Sequence, residues 1–191
     1  MEPIDINSEP ILDFECRVVI WKTREIEMMD VEGTSDVFVR VFFDDQEDQN
    51  TDTHWRCQNG QASFNYRLLF PIKSQRAEGY TLNIQAWDKD IICSNDLIGS
   101  CSLPIDYLFK DALLTDEPKY INVKYFEEYM KDQLDQMGSP LAEDIEFDPD
   151  EKDRFWIPVH RLIHEEDKTV KAGEILISVS MIPSKHANKA P

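Results

Sequence analysis

Short runs in which apolar and polar residues alternate recur along most of the chain. In FECRVVIW (14–21), Phe14, Cys16, Val18 and Ile20 alternate against Glu15 and Arg17, the period-two pattern of a half-buried strand. Further strands are expected at VFVRVFF (37–43), SFNYRLLF (63–70), YTLNIQAW (80–87), GSCSLPI (99–105), FWIPV (155–159) and EILISVSMI (174–182). Turn-rich pieces such as VEGTSD, QNGQ and CSND separate them. Many short strands at short spacing predict an all-β sandwich.

The period changes over residues 106–153. DYLFKDALL and KYFEEYMKDQLDQMG set Tyr125, Tyr129 and Leu134 at helical spacing, Gly138 and Pro140 end the pattern, and the acidic run GSPLAEDIEFDPDEKD follows. This predicts a helical insertion and then a flexible acidic loop. Residues 1–13, with acids and two prolines, read as a linker, 14–183 as one domain, and 184–191 as a tail.

Composition narrows the partners. The 191 residues suit one domain, and the formal net charge of -18 disfavours nucleic acid, which is bound mainly through Lys and Arg. A cation, or a protein partner with a basic surface, fits better. Cys16, Cys57, Cys93 and Cys101 are scattered and read as free thiols in a reducing compartment. No run approaches the roughly 20 apolar residues of a membrane span, and the acidic start lacks the features of a signal peptide. The expectation is therefore a cytoplasmic chain, with any membrane anchor of a parent protein outside this sequence. No nucleophile elbow, phosphate-binding loop or zinc-protease motif is present, so no enzyme is expected. His160 and His164 are four residues apart but have no neighbouring Cys or His to complete a zinc shell.

The informative acids lie in two segments. MMDVEGTSD supplies Asp30 and Asp36 around a turn containing Gly33, and WDKDIICSND supplies Asp88, Asp90 and Asp96. Asp88 and Asp90 leave the end of a predicted strand two residues apart, so the strand period sets both on one side. An all-oxygen, loop-borne set of five suits calcium, which takes about six to eight oxygen ligands. The alternative is that these aspartates only solvate their loops.

The joint pattern D-x5-D after one strand and D-x-D-x5-D after another resembles the calcium-binding C2 domains. The likeness extends through RVVIWKTREIEMMDVEGTSDVFVRVFF, TDTHWRCQNGQASFNYRLLFP, LNIQAWDKDIICSNDLIG, and FWIPV with AGEILISVSMI, and in these blocks the chain is similar to ferlin C2 domains. The resemblance implies an eight-stranded antiparallel C2 β-sandwich in the permuted, type II-like order. It also implies Asp30, Asp36, Asp88, Asp90 and Asp96 as Ca2+ ligands. Val31, Ile91 and Ile92, apolar beside those ligands, would contact the membrane.

The function so implied is calcium-dependent phospholipid binding at the cytosolic face of an anionic membrane, in membrane fusion or vesicle trafficking. A second reading stays open: a calcium-independent protein-interaction scaffold using the acidic insertion against a basic partner. TDTHWRCQNG carries Arg56 nearly alone where many C2 domains carry a lysine-rich strand, so a calcium-free phosphoinositide grip is not expected.

Overall fold

The computed structural model describes residues 12–29, 33–44, 46–74, 80–90, 94–136, 138–139, 141–163 and 168–188. Among them run eleven strands: β1 (Asp13–Arg24), β2 (Ser35–Phe42), β3 (Gln49–Asn50), β4 (His54–Cys57), β5 (Ser63–Lys73), β6 (Thr81–Asp88), β7 (Asp96–Pro104), β8 (Lys119–Tyr120), β9 (Glu146–Phe147), β10 (Phe155–Ile163) and β11 (Lys168–Pro183). Alternation drives the long ones inward: Phe14, Cys16, Val18 and Ile20 of β1, Val37, Val39 and Val41 of β2, and Leu82, Ile84 and Ala86 of β6 are all buried. They join one apolar core with Ile175, Ile177, Val179 and Met181 of β11.

The strand order is β3-β2-β6-β7-β10-β11-β1-β5, with β4 on β2, β8 on β11 and β9 on β10. β7 and β10 meet through a single pair, His160 opposite Ser100. The ribbon therefore folds there into two four-stranded layers, β3-β2-β6-β7 and β10-β11-β1-β5, the expected antiparallel β-sandwich. The last long strand pairs with the first, Phe14 opposite Pro183 and Arg24 opposite Glu174, which is the permuted order expected from the sequence.

One end of the sandwich is sealed by aromatic rings. Helix α1 (Asp106–Thr115) buries Leu108, Phe109 and Ala112, and the Phe109 ring lies 5.3 Å from Phe14 and 4.7 Å from Tyr80. Phe43 meets Phe70 at 5.3 Å and Tyr80 at 6.4 Å in edge-on contacts. The loops that carry the aspartates lie at the opposite end.

The rest of the 106–153 segment packs beside β10. It runs through α2 (Val123–Tyr125), a π-helical turn (Phe126–Met130), α3 (Lys131–Gln136) and α4 (Leu141–Asp144) before β9. The Asn122 side chain caps α2 by accepting the Tyr125 N–H at 3.0 Å. Sequence spacing set Tyr125 and Tyr129 on one apolar face, but Tyr129 is 48% exposed while Phe126, Met130 and Leu134 are buried. The π turn accommodates an extra residue and so rotates the buried face away from Tyr129. The stretch read as an acidic loop contains α4 and β9, and Phe147 of β9 stacks between Phe126 and Phe155.

The outer face of β10-β11-β1-β5 is covered by cations on indoles. The Arg154 guanidinium lies 3.6 Å from the Trp21 ring centre, and Arg24 lies 4.2 Å from that of Trp156. Glu174, 3% exposed, pairs with Arg24 and Lys171. Burial alone would push its carboxyl up, yet the hydrogen bonds from these two cations outweigh it and hold the carboxyl below its ordinary value. No described helix is long and apolar enough to cross a membrane.

Candidate functional site

β2 begins, β6 ends and β7 begins at the open end of the sandwich, and each brings an aspartate there. Asp88 is the last residue of β6; in register it lies opposite Val37 of β2 and opposite Asp96, the first residue of β7. Asp36 precedes Val37, and Asp90 lies two residues past the end of β6. Four of the five predicted aspartates thus sit at the tips of three adjacent strands. Asp30, together with Val31, Ile91 and Ile92, lies outside the described residues, as do Cys93 and His164.

The carboxylates differ in environment. Asp88 is 5% exposed, and its Oδ1 accepts the Asp36 N–H at 2.6 Å. Asp36, half-buried, accepts the Arg56 N–H on its own Oδ1 at 2.7 Å and the Lys89 N–H on its carbonyl at 2.9 Å. Asp90 is half-buried, and its N–H donates to Asn95 Oδ1 at 3.2 Å. Asp96 is exposed. Burial pushes the nearby Cys57 thiol up, and the Asp88 charge adds to the shift, so Cys57 stays a protonated core residue.

The approach to the first loop is fixed by two glycines. Ile26, 3% exposed, donates its N–H to Gly60 O at 3.3 Å, and Glu27 donates to Ala172 O at 2.9 Å. A Cβ on Gly60 would stand 2.2 Å from Ile26 N, and one on Gly173 would stand 2.7 Å from Ile26 Cα. Both glycines have positive φ, +67° and +137°, so they meet a steric and a conformational demand together. Further on, the fully buried Ser35 accepts the Met29 N–H on Oγ at 2.8 Å.

The four described aspartates offer carboxylate oxygens, the ligand type that a hard divalent cation such as calcium takes. Among the described residues, no three His, Cys, Asp or Glu side chains form a group that could hold a metal. The described aspartates reach the same end of the fold without closing a site by themselves.

Sequence reasoning passed over Trp55. It is 53% exposed beside this cluster, with Lys89 Nζ 5.6 Å from its ring centre. Alternation gave no signal for it, because Arg56 is left-handed at φ +52° and breaks the strand period.

The C2 domain family model matches residues 14–119. Fer-1-like protein 4 of Mus musculus is 29% identical over 150 residues, covering 64% of this chain and 7% of that protein. Myoferlin of Xenopus tropicalis is 24% identical over 216 residues, covering 99% of this chain and 10% of that protein. The chain thus spans about a tenth or less of the length of these relatives. Among solved structures, a C2 domain of plant extended synaptotagmin 1 superposes with a TM-score of 0.54 at 12% identity, over 92% of this chain and 98% of that one. A human GIVD cytosolic phospholipase A2 superposes with the same TM-score of 0.54 at 12% identity, over 91% of this chain and 17% of that one. At that identity the likeness is one of fold.

Proposed function

The chain belongs to the C2 domain family, with ferlins among its relatives, and from that premise we propose that it docks onto anionic phospholipid membranes in a calcium-dependent way. The observation that carries this reading is the gathering of Asp36, Asp88, Asp90 and Asp96 at the tips of three neighbouring strands, at one end of the sandwich. With Asp30 they would make five oxygen ligands of one hard-cation site. The work would lie at the cytosolic face, in membrane fusion or vesicle traffic.

The mechanism follows from charge. Uncompensated, the five carboxylates repel an anionic surface, where each nearby charge is worth on the order of 1 kcal/mol. Bound calcium would neutralise them and keep coordination positions open for lipid phosphate oxygens. Asp36 and Asp88, tied to the backbone of neighbouring strands, would hold their side of the site in place without further ordering. Val31, Ile91 and Ile92 would enter the headgroup region, where burying one Ile gains about 1.5–3 kcal/mol.

Calorimetric titration of calcium into the protein, with and without phosphatidylserine vesicles, tests this reading. Saturable binding that tightens with vesicles is expected, together with vesicle sedimentation only when calcium is present. Equal sedimentation in chelator would overturn the calcium step. Absence of any calcium heat would move weight to the scaffold reading. That reading draws on the groove lined by Val123, Lys124, Glu127, Phe147, Pro149 and Lys152 on the insertion.

A further inference from the structure

The charge of the chain is unevenly spread. Residues 106–153 hold fifteen acids against five lysines, so about a quarter of the chain carries ten of its 18 excess negative charges. Glu127, Asp132 and Asp135 are exposed there, and among the described residues none of them takes part in an ion pair. Beside them the fold leaves aromatic rings in water. A regular helix would set Tyr129 one turn after Tyr125 on the buried face; the π turn rotates it outward instead, with its ring 5.2 Å from that of Tyr125. Such turns are rare and recur at functional sites. On α1, Tyr107 and Leu114 stand seven residues apart on one exposed face, Leu114 with 85% of its surface in water, while Leu108, Phe109 and Ala112 are buried behind them.

Tyr125 is 8% exposed, and its hydroxyl is buried without a hydrogen-bond partner. Burial, and then the neighbouring Asp111, Tyr129 and Tyr107, push its pKa up, so a protonated phenol lies close to both exposed tyrosines. A buried polar atom left unpaired is a loss that packing does not recover. An arginine side chain answers each of these features: its flat guanidinium stacks on a tyrosine ring, and its fork of donors reaches a phenol oxygen and a carboxylate together. Lys110 Nζ already lies 5.9 Å from the Tyr107 ring centre, whereas no described cation lies over Tyr129. A second copy of the chain, equally acidic, and an anionic membrane would both be repelled. We infer that α1 and the π turn form a docking face for an arginine-bearing segment of a protein partner, with Tyr129 as the stacking anchor and the Tyr125 hydroxyl paired on binding. The inference deepens the protein-interaction reading of the insertion and rests on that reading, not on calcium. Because α1 lies at the end of the sandwich away from the aspartates, the face stays open while the aspartate end is engaged.

The test titrates a synthetic amphipathic peptide of leucine and arginine into the whole chain in chelator, beside versions with lysine or glutamate in place of arginine. The arginine peptide is expected to bind saturably and more tightly than the lysine peptide, and the glutamate peptide not to bind. Tyr129→Ala should weaken binding about tenfold and Tyr129→Phe should retain it, because the ring carries the stacking. Tyr125→Phe should weaken binding several-fold yet raise the melting temperature, since it removes the unpaired hydroxyl and keeps the ring. A lowered melting temperature with unchanged binding would make Tyr125 a structural residue and overturn its assigned role. Calcium heat and vesicle sedimentation should match the wild type in all three variants. Binding that survives Tyr129→Ala but falls when Asp132 and Asp135 become Asn overturns the face and keeps a diffuse acidic contact. Equal binding of the arginine and lysine peptides overturns the arginine assignment, and no binding of any peptide overturns the protein-interaction reading with it. Tyr129-dependent self-association, or Tyr129-dependent vesicle binding in chelator, overturns the inference in favour of a second copy or of a membrane.

Discussion

The Asp88 carboxylate is 5% exposed and takes the Asp36 N–H at 2.6 Å, so substitutions there separate charge from hydrogen bonding. Asp88→Asn keeps an oxygen for that N–H and removes the charge. Asp88→Ala removes both and strands a donor in a buried setting, a loss of about 1–3 kcal/mol. In chelator, Asp88→Asn is expected to unfold in urea within about 1 kcal/mol of the wild type, and Asp88→Ala to fall below it by the larger amount. Both variants should lose the calcium heat. If Asp88→Asn kept full calcium affinity, Asp88 would be a strand-end hydrogen-bond acceptor and not a ligand.

The run that leads into the first loop is held in part by close backbone contacts with two glycines. Ile26 is clamped between Gly60 and Gly173, and either glycine given a Cβ must push the clamp apart. Gly173→Ala should therefore destabilise the protein by more than about 2 kcal/mol, read as a lowered melting temperature, because strain and overlap coincide. It should also weaken calcium binding, since Asp30 follows this run; unchanged calcium affinity in a destabilised variant would mean that the clamp does not reach the loop mouth. This clamp was invisible in the sequence because its partners are far apart along the chain. The long strands were legible because a period of two survives any tertiary context that leaves one face buried, as in β1, β2 and β6. In β11 the pattern is less clean, because Leu176 and Ile182 are buried along with the expected Ile175, Ile177, Val179 and Met181. The two-residue strands β8 and β9 are too short to show a period, and the π turn displaced Tyr129 by changing the period itself. At the candidate site, Asp36, Asp88, Asp90 and Asp96 could be placed because strand ends fix them. Trp55 could not, because its exposure follows from one left-handed neighbour.

The molecule as a whole carries a formal charge of -18, and so much of one sign works against compaction. In chelator, raising monovalent salt should raise the melting temperature as the self-repulsion is screened. On the proposed calcium reading, calcium should stabilise more at far lower ionic strength, by about 2.7 kcal/mol at a hundredfold excess over Kd, as a ligand of the folded state alone does. Scanning calorimetry across both series distinguishes the two; identical effects of calcium and of magnesium at equal ionic strength would reduce the metal to a screening ion. The pairing of first and last strands has a mechanical consequence of its own. Phe14 lies opposite Pro183, and from there β1 and β11 run side by side to Arg24 and Glu174 near the loop mouth. Tension applied through the two chain ends therefore pulls across this pair and opens it one rung at a time, instead of shearing all its rungs together. The pair yields under load like a zipper drawn from the end where both strands leave the fold, and the aspartate-bearing tips of β2, β6 and β7, at the other end of the sandwich, are the last to feel the pull.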